Sequence, residues 1–241
     1  MTYPFVPAKG FTPTSGRAID LIVIHTIEAP ETAQTAEGCA RYFQTTDRQV
    51  SSHYCVDNNS IVQCVKEKDV AWCAPGANHD GIHLEHAGFA RQSAQDWRDD
   101  YSRAMLALSA KLSAEVADRY RIPVVWLSPL ALIQGRRGFT SHNNVSVAFK
   151  RSTHWDPGTG FPHDRYLADV ARRLGRDQPV EKTPLVTREE WTWRRWRLGE
   201  GEFRDHGPHV EAVRPEWIRP DIPAVWWVRL VSFVAVRRGG A

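Results

Sequence analysis

Two histidines and one aspartate in this 241-residue chain stand out by the segments that carry them. His25 closes the apolar run IDLIVIHT, His142 sits in the polar segment FTSHNN, and Asp156 precedes Pro157 and Gly158 in THWDPG. Two imidazoles and one carboxylate form a donor set that holds zinc while leaving a fourth position open to water. None of the three decides the matter alone. A histidine at a strand end is more often a hydrogen-bonded structural residue, and Asp-Pro-Gly is an ordinary β-turn spelling. The coincidence of that turn with His142, and with His154 and Trp155 just before it, favours a site.

Elements that could bring these groups together are readable. Asp20 to His25 is a continuous apolar run rich in Ile and Val, as in a strand buried on both faces. The end of such a strand is where α/β proteins gather ligands. Thr32 to Gln44 carries Ala36, Cys39, Ala40 and Phe43 at helical spacing. Ser52 to Val56 and Ile61 to Val65 read as strands joined by the turn Asp57-Asn58-Asn59-Ser60, with a further short strand from Gly81 to Glu85. Asp100 to Tyr120 repeats Met105, Leu108, Leu112 and Val116 at helical period until Pro123 forbids continuation. His142 and Asp156 fall in what reads as a loop, followed by a helix from Asp164 to Leu174 that Gly175 stops. The expected fold class is α/β, with a mixed central β-sheet flanked by helices.

Composition narrows the function. With 42% hydrophobic and 24% charged residues the chain resembles an average soluble globular protein. A net charge of +3 suits approach to an anionic surface, but no basic block indicates nucleic acid. The N-terminal segment has neither a charged nor an apolar region of a secretory signal. The apolar stretch Ala224 to Val236 contains Arg229 and is shorter than the roughly 20 residues that span a bilayer, so it reads as a buried strand or strand pair. Cys39, Cys55, Cys64 and Cys73 are expected as reduced, packed thiols, with a Cys55–Cys64 bridge as the exception to check. Six of the ten tryptophans lie after Arg176 in a proline-rich stretch without helical period, pointing to a linker at 177–186 and a small C-terminal β-rich module at 187–241. Those tryptophans are core residues or a platform for sugar rings. Trp72 and Trp155 are candidates for walls of the catalytic groove.

Rival ligands exist. His53, His83 and His86 could each be argued into a metal shell, and the period of a strand sends His83 and Glu85 to one face. The spelling H-L-E-H is not the H-E-x-x-H of helix-borne metalloproteases, and no G-x-S-x-G elbow is present.

Taken in order, LIVIHT, SSHYCVD, VAWCAPGAN, GIHLEHAG, TSHNN and HWDPGTGFP resemble segments of the zinc-dependent N-acetylmuramoyl-L-alanine amidases. This type-2 amidase family includes many phage endolysins and the peptidoglycan recognition proteins. The resemblance spans about residues 18–175. It implies that His25, His142 and Asp156 bind Zn2+ and that Glu85 acts on the attacking water. His154 falls where many members carry a lysine that steadies the transition state, and histidine differs in being charged only below its pKa. Ser52 stands where some members have a tyrosine, and Cys73 where histidine is frequent; no function is assigned to Cys73.

The resemblance further implies a catalytic domain over 1–176 and a cell-wall-binding module over 187–241. The expected activity is hydrolysis of the amide between N-acetylmuramic acid and L-alanine in bacterial peptidoglycan. The expected protein is a monomeric phage or prophage endolysin, made in the host cytoplasm and released to the wall through a holin pore. Two other readings are a non-catalytic peptidoglycan-binding protein on the same fold and an amidase that recycles soluble muropeptides.

Overall fold

The computed structural model describes residues 3–175 and, further along, 203–205 and 210–212. The chain divides into two compact units, Met1–Val180 and Glu181–Ala241. The expected linker at 177–186, the tryptophan-rich stretch and the apolar run at 224–236 lie outside the described residues. What is described of the second unit is a short antiparallel hairpin, Phe203–Asp205 paired with Val210–Ala212. No helix among the described residues is long and apolar enough to cross a membrane.

In the first unit five strands form one mixed sheet: β1 (Leu21–Thr26), β2 (Tyr54–Val56), β3 (Ile61–Gln63), β4 (Gly81–His86) and β5 (Gly138–Ser141). Their order is β3-β2-β4-β1-β5. β4 and β5 flank β1 in parallel, β2 runs parallel to β4, and β3 pairs antiparallel with β2. Five helices surround the sheet: α1 (Thr35–Thr45), α2 (Asp100–Tyr120), α3 (Pro129–Ile133), α4 (His142–Phe149) and α5 (His163–Arg173).

The two-residue period of the strands sorts their side chains into two layers. Ile22 and Ile24 of β1 and Ile82 and Leu84 of β4 pack with Met105, Leu112 and Val116 of α2 and with Tyr166, Leu167 and Val170 of α5. Leu21 and Val23 point the other way, into Val125, Leu127, Ala131, Leu132 and Val145. Cys55 and Val62 share that second side with Ala36, Ala40 and Phe43 of α1. A strand buried on both faces must be apolar at every position until its last residues, which is the pattern read in β1.

Local polar knots fix the connections. The Asp57 carboxylate accepts the backbone N–H groups of Asn59 and Ser60 through Oδ1 and that of Ala36 through Oδ2. One side chain therefore closes the β2–β3 turn and anchors the first turn of α1. Asp99 caps α2 by accepting from the Ser102 N–H, and Arg121 ends it in the left-handed region two residues before Pro123. The Sγ atoms of Cys55 and Cys64 lie 3.8 Å apart as free thiols, well beyond the roughly 2.05 Å of a disulfide.

His86 faces the α2 side, away from His25. Its Nδ1 lies 3.0 Å from the His25 carbonyl oxygen and its Nε2 2.6 Å from Ser109 Oγ, which meets the Tyr166 hydroxyl at 2.7 Å. This chain of contacts ties β1 and β4 to α2 and α5 and leaves no ring nitrogen for a metal. Burial lowers the His86 pKa to about 4. At neutral pH the ring is uncharged in the folded and unfolded chain alike, and no stability is lost. Below about 6.5 the unfolded chain takes up a proton that the fold refuses until about 4. Stability should therefore fall across that window, by up to about 1.4 kcal/mol per pH unit for this one group. In chelator, the urea midpoint of His86→Gln should fall less steeply than that of the wild type between about pH 7 and about pH 5. Parallel curves would show that His86 does not contribute.

Candidate metal centre

The parallel pairing of β1 with β4 sets His25 beside Glu85 and Val23 beside His83 at the same end of the sheet. His25, His83 and Glu85 thus share the face opposite His86. β5 adds the third component, because it runs directly into α4 and delivers His142 as the first helical residue. The loop expected around His142 is instead a helix start, with Ser141 as its cap accepting from the Asn144 N–H at 3.1 Å. Asp156 comes from the loop after α4, and its carbonyl accepts the Asn143 N–H at 3.0 Å.

Strand end, helix start and loop meet at one carboxylate. Asp156 Oδ2 lies 3.1 Å from His25 Nδ1, and Oδ1 lies 3.2 Å from His142 Nδ1. One donor atom from each of the three residues lies within 4.8 Å of the others, and all three side chains are buried. The remaining ring nitrogens are engaged elsewhere: His25 Nε2 at 3.0 Å from His83 Nδ1, and His142 Nε2 at 3.2 Å from Ser152 Oγ. A histidine that binds metal through Nδ1 must carry its proton on Nε2 and give it to an acceptor. Both imidazoles have such an acceptor, so the residues present fit a divalent ion on the Nδ1 side.

The charge states agree with this use. Burial lowers the His25 pKa to about 4 against the pull of Asp156, so the ring is neutral near pH 7. Burial alone would raise the Asp156 carboxyl, but its contacts with His142 and His25 outweigh burial and hold it well below the usual carboxylate range. One carboxylate as the only anionic ligand would leave Zn2+ with net positive charge and hence Lewis acidity.

A second trio, His25, Cys73 and His83, also brings its donor atoms within 4.8 Å of one another. Cys73 Sγ sits 3.5 Å from His25 Nε2. Burial, with Glu85 and Asp156 adding negative charge nearby, pushes the Cys73 thiol up, so a thiolate there is opposed. The first trio lies entirely on a cavity of about 520 Å³, whereas His83 does not line it. Access favours His25, His142 and Asp156.

Glu85, Cys73 and His154 line the same cavity, with Glu28, Tyr42 and Phe43 further along it. Glu85 is 9% exposed; its Oε1 accepts from the Cys73 thiol at 3.5 Å, and its Oε2 has no partner. Burial, with Asp156 nearby, raises its pKa well above the ordinary carboxylate value. His154 is exposed and stacks on His142 with ring centroids 4.5 Å apart. Its Nδ1 is 3.6 Å from Asp156 Oδ1.

The structure places the other sequence candidates elsewhere. His53 stacks on His83, accepts the His83 N–H at Nδ1, and has Nε2 3.1 Å from the Asp69 carbonyl. Ser52 donates to the His83 carbonyl at 2.9 Å. Trp72 donates its Nε1–H to Thr12 Oγ1, and neither it nor Trp155 lines the catalytic cavity, contrary to expectation. Trp155 faces a second cavity because it alternates with His154 and Asp156 along the loop. Glu28 and Ser152 were not anticipated. Glu28 Oε1 accepts from Thr26 Oγ1 and from the Ala90 N–H, both at 2.7 Å, joining the end of β1 to the segment after β4. Its positive φ of 58° left no trace in the sequence, whereas Ser152 lies in the His142–Asp156 interval and could have been weighed.

A mixed α/β sheet with a histidine–histidine–aspartate cluster at its strand ends has a candidate site where such sheets gather ligands. The family model described as N-acetylmuramoyl-L-alanine amidase matches residues 15–159. The chain belongs to that family, and its activity is that of an amidase acting on peptidoglycan. It is similar to N-acetylmuramoyl-L-alanine amidase A of Achromobacter lyticus, 27% identical over 161 residues that cover 64% of this chain and 84% of the relative. Two solved structures share the fold. The Staphylococcus aureus hydrolase AmiA, in complex with its ligand, has a TM-score of 0.53 at 16% identity, covering 74% of this chain and 89% of that one. An AmpD structure has a TM-score of 0.50 at 21% identity, covering 70% and 94%.

Gly158 seats the loop that carries Asp156. Its φ is +80°, and a Cβ there would lie 1.8 Å from the Ala90 carbonyl oxygen. Gly158→Ala should therefore lower stability by at least about 1–3 kcal/mol in denaturant titration and weaken metal binding by moving Asp156. Wild-type values for both would show that the seat does not hold the site.

Proposed function

We propose that the chain is a zinc-dependent N-acetylmuramoyl-L-alanine amidase in which His25, His142 and Asp156 hold the metal. The observation that carries this reading is the convergence of those three buried donors on a cavity that Glu85 also lines. Zinc bound there would polarise the scissile carbonyl and lower the pKa of bound water from about 15.7 toward about 7.

The chain's own residues supply the rest. Glu85 lines the cavity with one carboxylate oxygen held by the Cys73 thiol and one buried without a partner, and this carboxylate is the candidate to take a proton from the attacking water. As the water oxygen adds to the carbonyl carbon, that proton passes to Glu85. It then moves to the alanine nitrogen as the carbon–nitrogen bond breaks, and the second water proton passes from the new lactyl carboxyl group to the amine, leaving a carboxylate on the sugar and an alanine ammonium. Burial and the nearby Asp156 raise the pKa of this carboxyl, which strengthens it as a proton acceptor when ionised. His154, on the cavity wall beside His142, is the candidate donor to the carbonyl oxygen as negative charge builds. His83 orients His25 by holding its second nitrogen.

We further infer that the physiological role is lysis of a wall by a phage or prophage endolysin, with 187–241 keeping the enzyme on its insoluble substrate. The tryptophan-rich composition of that segment supports this reading over recycling of soluble muropeptides. Retention of both histidines, Asp156 and Glu85 supports catalysis over a purely binding role.

Digestion of purified peptidoglycan tests the chemistry. New alanine amino termini, without new reducing sugar ends, should appear with the wild type and vanish after chelation until zinc is returned. Asp156→Ala should lose metal and activity together. Glu85→Gln should keep its metal and lose about 10²–10⁴ in rate. His154→Ala should lose about 10²–10³, and His83→Ala should weaken metal binding about 10–100-fold. Reducing ends as the main product would point to a glycosidase. Residues 1–176 alone should cleave soluble muropeptides yet bind intact walls less than the full chain; equal wall binding would remove the anchoring role of the C-terminal segment.

A further inference from the structure

A second cavity, of about 370 Å³, lies on the other side of the two segments that carry His142 and Asp156. Along these segments the side chains alternate. His142, His154 and Asp156 line the catalytic cavity, whereas Asn143 and Trp155 line the second. The N–H of Asn143 bonds the Asp156 carbonyl at 3.0 Å, so a single layer of backbone joins the two walls.

The lining of this cavity is chemically distinctive. Trp155 is 55% exposed, an unusual state for an indole that has a core beside it to enter. Trp126 stacks on Phe161 with centroids 6.2 Å apart and an interplanar angle of 24°, and its centroid lies 5.2 Å from that of His163. The buried Phe161 thus backs the partly buried Trp126 and fixes its orientation at the cavity wall. Beside them Asn144 is fixed by donating Nδ2 to the Leu127 carbonyl at 2.9 Å, and Asn143 is exposed. None of the lining residues is Asp, Glu, Lys or Arg.

One exposed indole and one partly buried indole beside amides, without a carboxylate, lysine or arginine, match a pyranose ring. A sugar offers a face of C–H groups to an indole and an edge of hydroxyl and acetamido groups to asparagine, and the volume is within the range of small-molecule sites. The stem peptide is anionic and finds no cation here. The bond that this amidase cuts has peptide on one side and glycan on the other; the candidate centre lines the first cavity, and the second lies across the backbone that carries His142 and Asp156. We propose that the second cavity is a glycan subsite that holds the neutral N-acetylhexosamine next to the muramic acid, with Trp155 as its stacking platform. This inference rests on the amidase assignment and extends it to recognition of the glycan strand.

The test compares two soluble substrates, a disaccharide-peptide and the same peptide on muramic acid alone, by release of alanine amino termini. In the full-length zinc-loaded protein, Trp155→Ala should lower the ratio of kcat/KM for the disaccharide over the monosaccharide by about tenfold, equivalent to about 1.4 kcal/mol of lost contact. Trp155→Phe should keep most of the ratio, and Asn143→Ala should lower it by less than Trp155→Ala. The loss should lie in KM. A ratio unchanged in Trp155→Ala, whether both substrates slow equally or neither does, overturns the proposal. If the wild type releases no amino termini from either substrate, the amidase assignment fails and this inference falls with it.

Discussion

The carboxylate of Asp156 is the interaction on which the candidate site depends, because it ties a loop to two histidines that the pairing of β1 with β5 brings to one end of the sheet. His25 comes from the end of a buried strand, His142 from the first turn of a helix, and Asp156 from a loop. Each oxygen faces one imidazole nitrogen, and both imidazoles are positioned from behind by His83 and Ser152. A loop carboxylate can hold such a place only if its backbone is fixed. The close approach of Gly158 to Ala90, and the bond from Asn143 to the Asp156 carbonyl, provide that constraint.

The sheet makes the arrangement possible by separating two kinds of histidine. Four of them, His25, His53, His83 and His86, lie on β1, on β4 or beside β2, and all are buried. Alternation turns His86 toward Ser109 and Tyr166, where it serves the packing of α2 and α5. The same alternation turns His83 toward His25 and Glu85 toward the cavity. Burial keeps His25, His53 and His86 neutral at pH 7, and a neutral ring can accept, donate or ligate according to its neighbours.

Much of this was legible in the sequence, and the parts that were not have identifiable causes. The apolar run ending at His25, the long helix to Tyr120 and the helix closed by Gly175 follow from burial on two faces or one, which hydrophobic period encodes directly. The position of His83 followed from counting residues along a strand. The helix beginning at His142 reads as loop in the sequence because it is short and has two asparagines after its first residue, although the Ser141 cap is a local signal for it. Trp155 was assigned to the catalytic groove from its nearness in sequence to Asp156, but nearness does not determine which side of a loop a ring occupies. Glu28 could not have been found, since its role comes from a bond to Ala90 that exists only in the folded chain.

His25 offers a nitrogen to each of two donor sets, and which set holds the metal is the point on which the account turns. Zinc K-edge X-ray absorption of the zinc-loaded protein separates them, because zinc–sulfur bonds of about 2.3 Å are distinct from zinc–nitrogen and zinc–oxygen bonds of about 2.0–2.2 Å. The account predicts a shell of two imidazole nitrogens with oxygen and no sulfur, unchanged in Cys73→Ser. A sulfur shell that disappears in Cys73→Ser would contradict it and place the metal among His25, Cys73 and His83.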